Sequence, residues 1–363
     1  MMKSVSALIA AVVFSATSMG VYALEIERVS HAPAQFIPTK GKFTNINFAL
    51  SEKADVELKV FDDRDKLVRR IARKDLAAGE QTIPWSGQDE AGHTVPAEAY
   101  RYTLTANTTV EHDLSDLTGG ETVRSKILWN SDKMQFEYSL DKPSRVLIRV
   151  GLENHGPLMA TIRNWVPRQA GSHIERWDGK DASGELDLSK HPKLVVSMRA
   201  YTLSQNTILV GPEPNQVSFI RAMTWPSESR KVKKKPVKRM IAAQQQSAET
   251  RGDYLVNLNL PEGLKTDKHG VPIVTGHIPV MLDVDEKHRT IALNRRSETV
   301  FYIDGQFTFE NEVGFLPMAW MLDTTHLNNG EHFLSVNLRG YEGNFGLATR
   351  KIIVQHPRTS KVP

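Results

Sequence analysis

Stretches in which apolar and polar residues alternate recur through most of the chain. Examples are Val56–Val60, Tyr100–Ala106, Val146–Val150 and Tyr254–Leu260. Alternation with a period of two gives a strand one apolar face and one polar face, which is the pattern of half-buried β-strands. Turn-forming residues separate these stretches. The pattern therefore predicts an all-β protein built from β-sandwiches.

Two segments of the chain share one motif at an offset of 92 residues. Residues 78–92 and 170–184 both read Ala-Gly, five residues, then W-x-G-x-D-x-x-G. The motif positions are Trp85, Gly87, Asp89 and Gly92 in the first copy and Trp177, Gly179, Asp181 and Gly184 in the second. This offset is the size of a domain, so two homologous β domains in tandem are the simplest account.

The chemistry of this motif predicts a strand that ends on a core residue and then turns. The tryptophan delivers a large apolar ring to the core. The glycine two residues later allows a positive φ where the strand ends. The aspartate can accept hydrogen bonds from the backbone two residues further on, and the last glycine closes the turn. We therefore expect all eight positions to be structural.

With its neighbouring strands, the first copy resembles the FlgD-type Ig-like domain of flagellar hook-capping proteins. That family shows a strand pair, Ala-Gly, W-x-G-x-D-x-x-G and then V-P-x-G-x-Y-x-Y, whose last part is carried here by Val95-Pro96 and Tyr100–Tyr102. Asp65 and Glu98-Ala99 stand where the family has glycine, and the second copy lacks the last part of the pattern. The resemblance implies an Ig-like fold. It implies little about function, since such modules are appended to many exported proteins.

A second resemblance lies near the end of the chain. Leu322–Val336 reads L-D-T-x-x-L-x-x-G-x-H-x-L-x-V, which is similar to the late strands of bacterial Ig-like domains, and Gly343-Asn344 and Lys351–Val354 complete the pattern. Val300–Ile303 followed by Asp304-Gly305 predicts a hairpin with a type I′ turn. A third β-sandwich is therefore expected.

These observations predict three tandem Ig-like β-sandwich domains with a basic linker before the third. The expected first domain spans residues 24–110, and the second, a degenerate copy, spans residues 111–212. Residues 213–250 are the expected linker, residues 251–357 the third domain and residues 358–363 a tail.

The N-terminus has the pattern of a secretory signal peptide. Lys3 precedes an apolar stretch, and small residues lead to Ala23. We expect cleavage after Ala23, with a mature N-terminus at Leu24; the alternative is an uncleaved anchor helix. The apolar stretch is shorter than the roughly 20 residues of a membrane span, and no transmembrane segment is expected in the mature chain. The chain has no cysteine, which excludes disulfides, thiolate metal sites and cysteine nucleophiles. A bacterial periplasm or the cell exterior is the predicted compartment.

The excess positive charge of the chain is concentrated in the expected linker. The net charge is +4, and seven of the ten residues from 230 to 239 are basic: Arg230, Lys231, Lys233, Lys234, Lys235, Lys238 and Arg239. Export argues against a nucleic-acid partner. The segment is expected to be either a solvated spacer or a contact for an acidic polymer or anionic surface.

Known catalytic motifs are absent from the sequence. It contains no G-x-S-x-G, P-loop, G-x-G-x-x-G or H-E-x-x-H, and we expect no catalytic, cofactor or metal site. Two weaker candidates are better explained by structure: His326 with His332 as a metal pair, and the acidic stretch Asp283–Glu286 as a calcium site. Trp165, Trp225 and Trp320 are either sugar-stacking or core residues, and the sequence leaves both roles open.

The sequence therefore predicts a non-enzymatic exported protein that acts as a structural or protein-binding component of a bacterial envelope or surface assembly, with a protein partner in the envelope. The alternative is a protein that binds carbohydrate or an anionic polymer. A third class of function is a hydrolase with an unrecognised site in the third domain. An unpaired edge strand would favour assembly, and a cleft lined by acidic residues would favour the hydrolase.

Overall fold

The computed structural model describes residues 23–38, 41–211, 253–294, 296–341 and 343–357. The apolar part of the expected signal peptide and the basic stretch 230–239 lie outside these residues. No helix in the described ranges is long and apolar enough to cross a membrane. The fold is all-β, as the alternation predicts: strands form two facing sheets in each of three sandwiches.

The first sandwich contains eight strands from the beginning of the chain. They are β1 (Ile26–Ala32), β2 (Gln35–Phe36), β3 (Thr44–Leu50), β4 (Ala54–Phe61), β5 (Leu67–Leu76), β6 (Gly79–Trp85), β7 (Glu98–Ala106) and β8 (Val110–His112). One sheet has the order β1-β3-β6, and β7, β4 and β5 are neighbours in the other. Phe48, Leu58, Trp85 and Tyr102 fill the core between them. The β4–β5 turn contains Asp65 at φ 59°, so an aspartate takes the positive φ for which the family uses glycine.

The second sandwich has the same arrangement of its central strands. Its strands are β9 (Thr122–Val123), β10 (Leu128–Asn130), β11 (Gln135–Leu140), β12 (Ser144–Leu152), β13 (Leu158–Arg168), β14 (Gly171–Arg176) and β15 (Leu194–Thr202). The sheets have the orders β10-β11-β14 and β13-β12-β15-β9. Its core consists of two separate clusters, one around Phe136 and Trp177 and the other around Tyr138 and Ile148.

The strand that follows the second sandwich belongs to the first. β16 (Thr207–Val210) pairs antiparallel with β7 and parallel with β2, and Ile208 and Val210 lie in the core of the first sandwich. The second sandwich is thus inserted into the first, between β8 and β16. The sequence assigned residues 207–210 to the second domain, because alternation predicts a strand but does not indicate which sheet it joins.

The third sandwich contains the remaining described strands and one helix. They are β17 (Val256–Asn259), β18 (Ile273–Val274), β19 (His277–Val284), α1 (Glu286–Asn294), β20 (Ser297–Ile303), β21 (Gln306–Asn311), β22 (Met318–Asp323), β23 (Gly330–Gly340) and β24 (Phe345–Val354). The sheets have the orders β17-β19-β22 and β18-β24-β23-β20-β21. Asp304 and Gly305 both have positive φ, 50° and 76°, which confirms the type I′ hairpin. The helix α1 was not predicted.

Candidate functional site at the turns and domain junctions

The two repeated tryptophans occupy equivalent positions in the first two sandwiches. Trp85 is 1% exposed and Trp177 is 7% exposed. Each indole Nε1 donates to the backbone carbonyl three residues on: Trp85 to Gln88 at 3.0 Å and Trp177 to Lys180 at 2.9 Å. Each ring therefore fills the core and also holds the start of the turn that follows.

The repeated aspartates organise that turn through their own backbone. The Asp89 carboxylate accepts from the N–H groups of Ala91 and His93 at 3.0 and 2.8 Å, and Asp181 accepts from Ser183 and Leu186 at 3.0 and 2.7 Å. The hydrogen bond from the His93 backbone is the main cause that lowers the pKa of Asp89. The carboxylate oxygens are thus used within the turn, as the sequence predicts for a structural role.

The repeated glycines beside the tryptophans are required by close packing as well as by φ. Gly87 has φ 72°, and a Cβ there would lie 2.4 Å from Cγ of Pro38. Gly179 has φ 79°, and a Cβ there would lie 2.7 Å from Cβ of Ser189. Gly92 and Gly184, which close the turns, also have positive φ, 82° and 74°.

A third copy of this turn lies in the third sandwich and was missed by the sequence reading. The Asp267 carboxylate accepts from the N–H groups of His269 and Val271 at 2.9 and 2.8 Å, and Gly270 has φ 81°. The signal was available: Asp267–Pro272 reads D-x-x-G-V-P, close to D-x-x-G-x-x-V-P from Asp89 to Pro96. Without a tryptophan before it, the motif was not recognised.

The second sandwich also contains a buried ionic network centred on Glu175 of β14. The Glu175 carboxylate accepts from Nε of Arg163 at 2.6 Å, Nε of Arg168 at 2.8 Å and the Tyr138 hydroxyl at 3.1 Å. Burial opposes ionisation of Glu175, but the two arginines outweigh it and lower its pKa. Counting back from Trp177 in steps of two predicts that Glu175 points inward, a signal that the sequence reading also left unused.

The junction between the first and second sandwiches contains a buried ion pair. Nη1 of Arg145 in β12 lies 2.8 Å from Oε1 of Glu98 at the start of β7, and their side chains are 6% and 19% exposed. The same nitrogen donates to the Trp165 carbonyl at 3.1 Å. One strand of each sandwich supplies a partner, so this contact joins the two sandwiches directly.

Asn206 joins the two chain connections that run between these sandwiches. Its side-chain Nδ2 donates to the backbone carbonyl of Tyr102 at 2.7 Å and to the Asp113 carboxylate at 3.0 Å. The backbone carbonyl of Asn206 accepts from the Tyr102 N–H at 3.0 Å. Asp113 lies on the outgoing connection and Asn206 on the returning one. The buried asparagine, 1% exposed, therefore ties both connections to β7.

The junction between the second and third sandwiches is centred on Arg149 of β12. Its Nη2 donates to the Gly343 carbonyl at 3.0 Å and lies 3.5 Å from the Asp253 carboxylate, and its guanidinium group stacks 4.2 Å from the Phe345 ring centroid. Burial lowers the pKa of Arg149 and raises that of Asp253, although each charge partly offsets the shift of the other. Asn164 adds a 3.1 Å hydrogen bond to Asp253.

Two further hydrogen-bonded contacts extend this junction. The Asn337 side chain bonds both backbone groups of Leu158 at 2.8 Å. The Ser183 hydroxyl, in the aspartate turn of the second sandwich, accepts from Thr349 N–H at 2.8 Å. The repeated turn thus also contributes to a domain contact, which the sequence did not indicate.

The first sandwich carries the family pattern of turn, tryptophan and strand order described above. Residues 35–109 match the FlgD Ig-like domain family. The match confirms the resemblance inferred from the sequence, and it ends before β16, the strand that completes this sheet. No curated protein sequence matches the chain.

Several solved structures of tandem modules are similar to the chain. The fibronectin(III)-like modules of Clostridium thermocellum CbhA match at 10% identity over 92% of this chain and 94% of theirs, with a TM-score of 0.20. A 1.5-MDa bacterial ice-binding adhesin matches at 9% identity over 93% and 99%, with a TM-score of 0.19. The central fibronectin-III array of RIM-binding protein matches at 9% identity over 86% and 93%, with a TM-score of 0.18. TM-scores this low describe no common overall arrangement, so the fold assignment rests on strand pairing and the family match.

The weaker metal candidates outside the FlgD Ig-like domain have other partners. His326 is 87% exposed and lies 3.5 Å from Asp323, whereas His332 contacts Asp304 at 2.6 Å and the Asn328 carbonyl at 2.8 Å. The acidic stretch at the end of β19 is divided between an ion pair of Asp283 with Arg289 and Asp285, which caps α1 through His288 N–H at 3.1 Å.

The candidate sugar-stacking tryptophans contact the protein instead. Trp165 packs on Tyr201 with ring centroids 5.1 Å apart, and Trp320 packs on Phe301 and Phe309 at 4.5 and 5.6 Å. Both are half-buried. Trp225 and the basic residues Arg230 to Arg239 lie outside the described residues, so their proposed roles stay predictions.

Proposed function

We propose that this is a non-enzymatic exported protein that acts as a structural or protein-binding component of a bacterial envelope or surface assembly. The observation that carries this proposal is the way the sandwiches are joined. The second is inserted into the first, and buried side chains connect it to both neighbours.

Domains joined by a single linker usually move relative to each other unless their interface is extensive. Here two connections run between the first and second sandwiches, and Asn206 ties them together. Separating the sandwiches would break the ion pairs of Arg145 and Arg149 at the two junctions, together with the hydrogen bonds beside them. The joined sandwiches therefore suit a component that holds binding surfaces at fixed positions.

Export is supported by the signal-type N-terminus and by the FlgD Ig-like domain. Its direct test is the intact mass of the protein isolated from its native envelope fraction. A mature N-terminus at Leu24 is the expected result. A full-length mass would show that the N-terminal segment is not removed, and the protein would then be anchored rather than released.

The proposed role is tested by crosslinking in the native envelope, followed by capture of the tagged protein. The wild type should yield a defined protein partner. Arg149→Met should yield less of it, because the junction loses its charge, while the exposed Arg350→Met is the matched control and should behave as wild type. Recovery of polysaccharide alone, or equal capture by all three proteins, would contradict the structural role.

A further inference from the structure

The edge of the second sandwich formed by β15 is largely unpaired. β15 pairs along its whole length with β12 on one side, but on the other side β9 pairs only with Ala200 and Tyr201. The chain then leaves this edge: the Ser125 hydroxyl bonds the Ser139 carbonyl of β11 in the opposite sheet at 2.6 Å. Within the described ranges, no other strand pairs with Leu194–Arg199.

The equivalent strands of the other two sandwiches are covered. In the first, β16 pairs with residues 98–101 of β7 and β8 with residues 104–106. In the third, β24 pairs with β23 from Gly330 to Arg339. The chain segment that could cover β15 becomes β16 instead and completes the first sandwich. The open edge is therefore a direct consequence of the inserted topology.

The pairing register identifies which backbone groups are open. Leu203 N–H donates to Pro143 and Glu153 N–H donates to Lys193, so odd-numbered residues of β15 face β12. Thr202 N–H donates to Glu121 on the opposite side, which places even-numbered residues on the open edge. The N–H and C=O groups of Val196 and Met198 therefore point to a missing neighbour.

The side chains agree with the backbone. The core-facing residues of β7 and β23 are sealed: Leu104, Val336 and Leu338 are 0% exposed. Their counterparts in β15, Val196 and Met198, are only half-buried, although both pack at the margin of a core cluster. An apolar margin beside open backbone groups is the surface to which an added strand binds.

We propose that the β15 edge, from Leu194 to Arg199, binds an extended segment of a partner protein as an added strand in which apolar and acidic residues alternate. This rests on the proposed protein-binding role and names its site. The apolar residues would cover Val196 and Met198. The acidic residues would meet the exposed basic side chains around this edge, which are Arg124, Lys126, Lys193 and Arg199. Two acidic residues also lie near this edge. Glu121 is already paired with Lys142, and Glu153 is the other acidic residue.

The same charges disfavour a second copy of this chain as the occupant. An antiparallel β15–β15 pair would bring Lys193 and Arg199 of one copy close to Arg199 and Lys193 of the other. Like charges on paired strands are destabilising. An acidic strand meets no such repulsion.

Hydrogen exchange in the free full-length protein tests whether the edge is open. The amides of Val196 and Met198 should exchange fast, while those of Val195 and Ser197, which bond β12, should exchange slowly. If Val196 and Met198 are protected in the free protein, a segment of this chain or a second copy already covers the edge, and the proposal is overturned.

Binding is tested with a labelled heptapeptide probe, Glu-Val-Glu-Val-Glu-Val-Glu. A peptide with the same residues in two blocks, Glu-Glu-Glu-Glu-Val-Val-Val, controls for attraction by charge alone, including attraction to the basic stretch 230–239. The alternating probe should bind about tenfold more tightly, which corresponds to roughly one net hydrogen bond at the upper end of its usual strength. It should also slow exchange at Val196 and Met198. Equal binding of both peptides overturns the proposal.

Three variants of this edge locate the site. Met198→Pro removes an N–H that faces the open edge and leaves the β12 ladder intact; it should weaken the alternating probe about tenfold, whereas Met198→Ala, which keeps that N–H, should weaken it less. If the proline variant fails to fold, the double variant Lys193→Glu with Arg199→Glu, which changes two exposed side chains, tests the site instead. It should reduce both the affinity for the alternating probe and the salt dependence of that affinity. Unchanged binding in the folded variants overturns the site. Because these measurements use the purified protein, they are independent of whether the envelope capture succeeds.

Discussion

The side chain of Asn337 in the third sandwich bonds both backbone groups of Leu158 in the second: its Oδ1 accepts from the N–H and its Nδ2 donates to the carbonyl, each at 2.8 Å. The side-chain amide thus pairs with the first residue of β13 as a neighbouring strand would. Asn337 is 6% exposed, so removing its side chain takes a buried partner from both backbone groups of Leu158.

Asn337→Ala should therefore lower the free energy of unfolding by about 1–3 kcal/mol, the usual cost of leaving a buried polar group unpaired. Chemical denaturation measures it. The exposed Asn257→Ala is the control and should change stability by less than about 0.5 kcal/mol. Equal stability of both variants would show that this contact does not hold the junction.

Trp85→Ala and Trp177→Ala should each lower the free energy of unfolding by about 3–5 kcal/mol, the range for truncation of a large aromatic side chain in a core. Trp85→Phe should cost less, since it keeps a ring in the core and loses mainly the hydrogen bond to Gln88. Thermal and denaturant unfolding measure these changes. A substitution that left the melting temperature unchanged and abolished binding would make the tryptophan a ligand contact instead.

Glu175→Gln should destabilise the second sandwich by about 3–5 kcal/mol at neutral pH, because two arginines lose their buried counter-charge. The pKa of Glu175 is lowered in the folded protein, so the stabilisation that this carboxylate provides is present above the ordinary glutamate pKa of 4.5 and is lost as pH falls through the lower folded pKa. Denaturation at several pH values should show the difference from wild type shrinking below about pH 4.5. A pH-independent difference would contradict the ionic role.

His332 should make stability depend on pH in the opposite direction. Both ring nitrogens face acceptors, Asp304 and the Asn328 carbonyl; burial opposes protonation, but these bonds outweigh it and raise the pKa above 6.5. Its stabilisation is therefore complete below pH 6.5 and is lost as pH rises through the folded pKa. Asp304→Asn and His332→Gln should both flatten the stability profile in this range. An NMR titration that places the His332 pKa below 6.5 would refute this.

Local chemistry made the tryptophan turns predictable. Trp85, Gly87 and Asp89 lie within five positions of each other, and their hydrogen bonds stay inside that segment. The third turn, at Asp267, follows the same rule and was missed only because no tryptophan marks it. Glu175 was predictable from its parity with Trp177, but its partners Arg163 and Arg168 were not, because the register of β13 against β12 shifts on both sides of Arg163.

The sequence by itself determined the all-β class, the repeated turns and the strands, because alternation and turn chemistry act between residues that are close in the chain. Only the tertiary structure decided that Thr207–Val210 completes the first sandwich and leaves β15 open. A short apolar strand can complete any sheet with a free edge. Which edge it joins depends on contacts between residues about a hundred positions apart, such as Leu209 with Ala99, and no local pattern records them.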